Sequence, residues 1–170
     1  MAAYTLGSET TKVPRDGTLV LQDSGGTNTL TVPYMNLTFS DPKHDKVTQR
    51  VRGNIQGSRN GDQQYATGSF DVYFYQFTDA GATQASVQDV CDGTGTVGSN
   101  WTKVSNAHEQ FNFDMVFTKT GTPYSGVADG ANHVATFSTT TAEWDFSEDI
   151  SGDKITVNFE TVTVTYAGPT

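Results

Sequence analysis

The chain has 170 residues, of which 35% are apolar and 17% charged, with a formal net charge of −9. These values suit a single domain and exclude a helix that spans a bilayer, because the apolar runs are only a few residues long. Ten Lys and Arg against nineteen Asp and Glu exclude tight nucleic-acid binding, which draws its affinity from cationic contacts to phosphate.

The N-terminal stretch Met1 to Val13 has no basic start followed by an apolar segment, so no signal peptide is expected. One cysteine, Cys91, rules out an internal disulfide and fits a reducing compartment. Thr and Gly are abundant and helix formers sparse, which is a β composition. Gly17 to Asp23 (GTLVLQD) reads as the first strand. Leu30, Val32 and Tyr34 alternate with Thr29, Thr31 and Pro33, and Leu37 and Phe39 continue the apolar series after a change of phase. Val47, Val51 and Ile55 alternate with Thr48, Arg50, Arg52 and Asn54, which predicts one half-exposed strand. A polar loop, Gly57 to Thr67, is expected next.

Gly68 to Thr78 (GSFDVYFYQFT) reads as one strand with two apolar faces, Phe70, Val72 and Phe74 on one and Tyr73, Tyr75 and Phe77 on the other. A surface strand ordinarily shows water one polar face. Ala82 to Cys91 is the one helical segment, with Val87, Val90 and Cys91 on a single stripe. Asp79 and Thr83 are candidate caps, and Gly93 is placed to stop it. In the next strand Phe111, Phe113, Met115 and Phe117 point inward and Asn112 and Asp114 outward. Ala142, Trp144 and Phe146 oppose Glu143, Asp145 and Ser147. The last strand, Lys154 to Tyr166, slips in phase between Phe159 and Val162, which predicts a β-bulge or a change of environment, or else two short strands with a bend. The fold class is therefore all-β, a two-layer sandwich or barrel with one short flanking helix around 82–91, in a single domain spanning 1–170.

Little in the chain carries chemistry. Gly93 to Gly98 spells GxGxxG, but a dinucleotide site needs a strand before it and a helix after it. Here a helix precedes it, and a flexible loop is the better reading. Asp145, Glu148, Asp149 and Asp153 read as an acidic turn, with calcium ligation as the alternative. His44, His108 and His133 lie far apart and form no metal motif. Cys91, on an apolar stripe, reads as a buried inert thiol. No catalytic residue, metal or cofactor is expected. Asn36 and Asn100 open glycosylation triplets of the kind that arise by chance. Lys43, Lys46, Arg50, Arg52 and Arg59 form the one basic cluster, read as a contact surface for carboxylates.

Tyr65, Tyr73, Tyr75 and Phe77 fall on faces that a monomer leaves open. Tyrosine suits an interface, and unpaired sheet edges recruit further strands. A closed homo-oligomer resolves both problems. At this point the chain resembles the major tail tube protein of long-tailed bacteriophages. The resemblance rests on layout: an N-terminal arm, YTLGSETTKVPRDGTLVLQD; then strand, polar loop, strand, VTQRVRGNIQGSRNGDQQYATGSFDVYFYQF; then the helix; then hairpins running from FNFDMVFTKTG to TVTVTY.

The resemblance implies a structural, non-enzymatic subunit. Such subunits form homohexameric rings that stack into a hollow tube through which viral DNA passes as cargo that does not stick. It implies partners in further copies of itself, the tape measure and the tail terminator, no membrane, and residence in a virion tail assembled in the host bacterial cytoplasm. Asp71, Asp114, Glu143, Asp145 and Glu160, which project from strands, are the candidates for the lumen wall. Tyr4, Arg59, Asp62, Tyr65, Tyr73 and Tyr75 are the candidates for contacts between subunits. The arm, Met1 to Asp16, and the loops Ser40 to Lys46, Gly57 to Thr67 and Lys119 to Asn132 are the expected stacking elements. The arm has no hydrophobic pattern of its own and is expected to order only on a neighbour. Two other readings stay open: a carbohydrate-binding sandwich that uses Trp101 or Tyr124, and a virion decoration or adhesin protein.

Overall fold

A computed structural model describes residues 2–4, 17–78, 83–103, 110–119 and 133–167. Ten strands and two short helices occur among them. In chain order the elements are β1 (Ala2–Tyr4), β2 (Gly17–Gln22), β3 (Asn28–Val32), β4 (Tyr34–Phe39), β5 (His44–Val51), β6 (Asn54–Gln63) and β7 (Ala66–Tyr73). There follow α1 (Val87–Asp92), α2 (Gly95–Asn100), β8 (Phe113–Lys119), β9 (His133–Ser147) and β10 (Lys154–Ala167). Eight strands form one curled sheet in the order β1-β3-β2-β8-β9-β10-β7-β4, while β5 and β6 pair only with each other. All pairings are antiparallel except β1 with β3.

Alternation builds the core. Leu19 and Leu21, Leu30 and Val32, Phe70 and Val72, Phe113 and Met115, and Ile155, Val157 and Phe159 are all buried on one face of the sheet. Curling lets that face close on itself, and α1 and α2 cover the remainder with Val87, Val90, Cys91 and Val97. The predicted apolar stripe of the helix is therefore correct, but its start is not. Ser86, and neither Asp79 nor Thr83, caps α1. The Ser86 hydroxyl accepts from the Asp89 amide (3.0 Å), and the Asp89 carboxylate accepts from the Ser86 amide (3.3 Å). Thr83 is exposed ahead of the helix and Asp79 lies outside the described residues. Gly93 ends the helix in the left-handed region (φ 63°), as expected. The flexible loop expected across the GxGxxG stretch is instead partly the helical turn α2, held at its end by Trp101 N–H donating to Val97 C=O.

Four further expectations change. The stretch from Val47 to Ile55 is not one strand. It folds back on itself at Arg52 (φ 52°) and Gly53 (φ 81°), and the polar stretch after it, expected as a loop, is largely strand β6. Two successive left-handed residues match the twist of a tight hairpin. The strand from Gly68 stops at Tyr73. Asn112, expected to face out, is buried.

The phase slip has a local cause. Between the pairs Phe113↔Thr140 and Met115↔Phe137, two residues of β8 span three of β9. The extra residue lies at Ser138–Thr139, where Thr139 adopts φ 57°. Register between β9 and β10 continues past this bulge, so β10 is one strand. Beyond Thr161 only Val164 still packs against the core, while Val162 and Tyr166 are exposed. At the other end of the sheet, β1 pairs with Asn28 to Leu30, so the first part of the arm adds an edge strand within its own subunit. Residues 5–16 lie outside the described residues.

Candidate functional site

Two surfaces stand out, both positioned by the β4-β7-β10-β9 half of the sheet. The first is the face opposite the core. Register sets its residues in rows across the strands. Asp71, Thr156 and Asp145 are neighbours in one row, Ser69, Asn158 and Glu143 in the next, and Thr67, Glu160 and Thr141 in the third. The face is mainly polar, with Met35 and Tyr73 also on it, and a trough of about 600 Å³ beside it is lined by Thr67, Ser69, Asn158, Glu160 and Glu143 together with Phe39, Ala142 and Phe159.

Four of the five lumen candidates therefore share one face. Glu143, Asp145 and Glu160 are exposed on it. Asp71 is not a free charge, with its side chain 15% exposed. It accepts from Thr156 Oγ1 (2.7 Å) and Asn36 Nδ2 (3.2 Å), and Lys154 Nζ stands 3.5 Å away. Burial pushes its carboxyl up, but these donors and the ammonium outweigh burial and hold it below the ordinary carboxylate range. Asp114 lies apart, on β8, where it accepts from the Thr139 amide (2.9 Å) inside the bulge. Burial and the nearby Asp23 charge push its carboxyl up, and the amide offsets only part of that.

The second surface is the β5–β6 hairpin. From His44 to Gln63 every residue is exposed except Gly61, which is half-buried. Residues 43–63 hold five Lys and Arg against two Asp, in a chain that is otherwise strongly acidic. Val47, Val51 and Ile55 add exposed apolar surface. At its root, Gln63 Nε2 donates to Val162 C=O (3.2 Å), the Gln64 amide donates to Lys43 C=O (2.6 Å), and Tyr166 OH donates to Asp41. Burial and that carboxylate push the Tyr166 phenol up to about 12.

The candidates for contacts between subunits divide between the two ends of β7. Arg59, Asp62 and Tyr65 (59% exposed) lie on or beside the hairpin. Tyr73 and Tyr75 are half-buried at the far end, where Tyr73 packs on Gly152 and Tyr75 lies beside Val87 and Gln88 of α1. Only the backbone of Tyr4 is described, in β1. Near Tyr73 the structure brings together rings that the sequence pattern had separated. Once the strand ends, Phe74 and Phe77 meet at 4.6 Å, and both meet Phe146, at 5.2 and 5.5 Å. Trp144 joins them at 6.3 Å from Phe77 and donates from Nε1 to Asp92 (3.0 Å). No periodicity points to this cluster, because it forms where periodicity ends.

Cys91 is buried, and burial together with Asp92 pushes its thiol far above the ordinary range, which leaves it without nucleophilic thiolate. The acidic run is the β9–β10 turn, closed by Gly152 N–H to Asp149 C=O (2.9 Å). Among the described residues no three His, Cys, Asp or Glu side chains are grouped to hold a metal. His44 and His133 are exposed, and His108 lies outside the described residues. Trp101 is buried at 6% exposure, so it offers no platform for a sugar ring. Tyr124 lies outside the described residues.

No family model and no curated protein matches the chain. Solved structures do. The chain is similar to a component of the PVC sheath–tube complex, an extracellular contractile injection system in its extended state, at 11% identity and a TM-score of 0.59, covering 95% of this chain and 94% of that one. It is similar to a chain of the anti-feeding prophage tube-terminating cap at 12% identity and a TM-score of 0.59, covering 95% and 94%. A chain of the anti-feeding prophage baseplate matches at 9% identity and a TM-score of 0.56, covering 94% and 97%. At these identities the likeness is one of fold, and it extends over nearly the whole chain. The fold is the all-β, tail-tube-like architecture that the layout of the sequence implies.

Proposed function

We propose that this chain is the structural, non-enzymatic subunit of a phage-like tail tube, closing into homohexameric rings that stack into a hollow conduit. The observation that carries this reading is one sheet with two uncovered features: a polar, acidic outer face and a basic hairpin exposed on both sides. A lone two-stranded hairpin is marginally stable in water, and a second copy supplies what covers it. In this reading Arg59, Asp62, Tyr65, Tyr73, Tyr75 and Tyr4 lie in contacts between subunits, and residues 1–16 reach a neighbour beyond the edge strand β1.

The outer face of β4-β7-β10-β9 lines the channel, with Glu143, Asp145 and Glu160 as its free charges. DNA sliding past it meets few cations that hold phosphate. Repulsion is confined to about 8–10 Å by physiological salt, so the wall lubricates without driving. Asp71, paired with Lys154, and Asp114, tied into the bulge, hold the wall's shape more than its charge. The particle is a virion tail assembled in the host cytoplasm, and its other partners are the tape measure and the tail terminator.

Sedimentation velocity of the purified protein across a concentration series tests this reading. The expected species have six times the 18.3 kDa subunit mass and multiples of that. A single species at subunit mass under all conditions contradicts it.

A further inference from the structure

The aromatic cluster at the end of the sheet is also an uncovered surface. Phe77 is 53% exposed and Phe146 40%, and Ile150, in the turn beside them, is fully exposed. Residues 145–153 around this ledge carry four carboxylates, Asp145, Glu148, Asp149 and Asp153, and no cation. The tip of the β5–β6 hairpin has the opposite composition. Val51 (55% exposed) and Ile55 (65%) stand there beside Arg50 and Arg52. One surface is apolar with an acidic rim, and the other is apolar with basic neighbours.

Their positions in the fold are also complementary. The hairpin leaves the sheet where β4 ends and β7 begins, next to Thr161 of β10. The ledge lies where β7 ends and β10 begins, at Tyr73, Lys154 and Ser147. The eight residues of β7 separate the two by roughly 23 Å at about 3.3 Å per residue. A patch at one pole that fits a different patch at the other pole makes a head-to-tail contact, and such contacts build an open stack when the rotation between copies does not close them into a ring.

We infer that the Phe77–Phe146–Ile150 ledge, with Glu148 and Asp149 on its rim, is the receptor for the hairpin tip of a second copy in the next ring. Val51 and Ile55 cover the rings while Arg50 and Arg52 face the rim carboxylates. This rests on the tube reading above and assigns the axial contact within it. The acidic trough of the sheet face is the competing receptor. It offers Glu143 and Glu160 beside one exposed ring, Phe39, whereas the ledge sets three exposed apolar side chains beside its carboxylates, a closer match to a tip that presents two of each kind of group.

Charge reversal separates the possibilities. Three variants are compared with the parent by negative-stain microscopy: R50E/R52E at the tip, E148K/D149K at the ledge, and E143K/E160K in the trough. A fourth carries the tip and ledge changes together. Circular dichroism melts confirm that each subunit is folded; all the substituted side chains are exposed. The expected result is loss of filaments with rings retained for the tip and ledge variants, filaments unchanged for the trough variant, and filaments restored in the combined variant. Filaments that survive the ledge reversal, are lost in the trough reversal, or are not restored by the combination overturn the assignment and leave the tube reading standing. A parent protein that forms neither rings nor filaments overturns both.

Discussion

Gly68 marks a tight point in the sheet. A Cβ there meets the Phe159 ring and the Thr38 carbonyl, so β4 and Phe159 close over β7 only because the side chain is absent. Gly68→Ala forces the core open and is expected to cost about 1–3 kcal/mol, read as a lower urea midpoint with an unchanged slope; an unchanged midpoint contradicts the packing described.

Asp23 accepts from the Thr27 amide (2.7 Å), Asn28 Nδ2 (2.9 Å) and the Asn28 amide (3.2 Å), tying the β2–β3 turn together. Burial pushes its carboxyl up, but these donors, with the Thr102 amide, hold it below the ordinary range, as the partners of Asp71 do for that residue. Both groups therefore add stability above the unfolded value of about 3.9, and that stability is lost as pH falls below it. Asp114, pushed up by burial, acts in the opposite sense: its ionisation costs stability above that value, and its protonation returns it. Unfolding free energy is expected to hold or rise slightly on acidification towards pH 4, then to fall. Asp114→Asn removes the rise and Asp23→Asn flattens the fall. Urea titrations at stepped pH that show the same acid slope with and without Asp23 contradict this account.

At the scale of elements, what the sequence reveals depends on whether a side-chain pattern meets a core. β2, β3, β8, β9 and β10 bury alternate residues against the curled sheet, and their alternation reads directly. The stripe of Val87, Val90 and Cys91 does the same for α1. The hairpin meets no core. Its apolar residues are spaced like those of a half-buried strand, yet both faces are in water, so the fold-back at Arg52 and Gly53 is invisible to periodicity. α2 is invisible to periodicity for a related reason. Its residues, GTVGSN, bury only Val97, and a single buried residue has no period. The acidic face of the candidate site was legible as outward charges on alternate positions. The aromatic ledge was not, because it assembles from three separate segments after β7 ends. Replacing residues 44–63 with a short Gly-rich turn tests the hairpin's independence. The melt is expected to change by less than about 1 kcal/mol, in line with exposed sites elsewhere, while filament growth is lost. A subunit that fails to fold contradicts it.

For the whole molecule, the segregation of charge is the property that links fold to role. Half of the chain's ten cations lie between residues 43 and 59, in or beside one exposed hairpin, which leaves the sheet face free to be acidic. Converting Glu143, Asp145 and Glu160 to Lys places cations on the proposed channel wall. Tubes are expected to persist and DNA passage to slow markedly, with a dependence on salt, because each added cation can hold a phosphate. Ejection kinetics measured on particles that carry the triple variant check this, and unchanged kinetics remove these residues from the lumen. The most direct measurement is a helical reconstruction of the assembled protein by electron cryomicroscopy. The account predicts a six-fold hollow tube in which the outer faces of β4, β7, β10 and β9 line the channel and the hairpin reaches the next ring. A tube with that face on its exterior, or particles that remain single subunits, would contradict it.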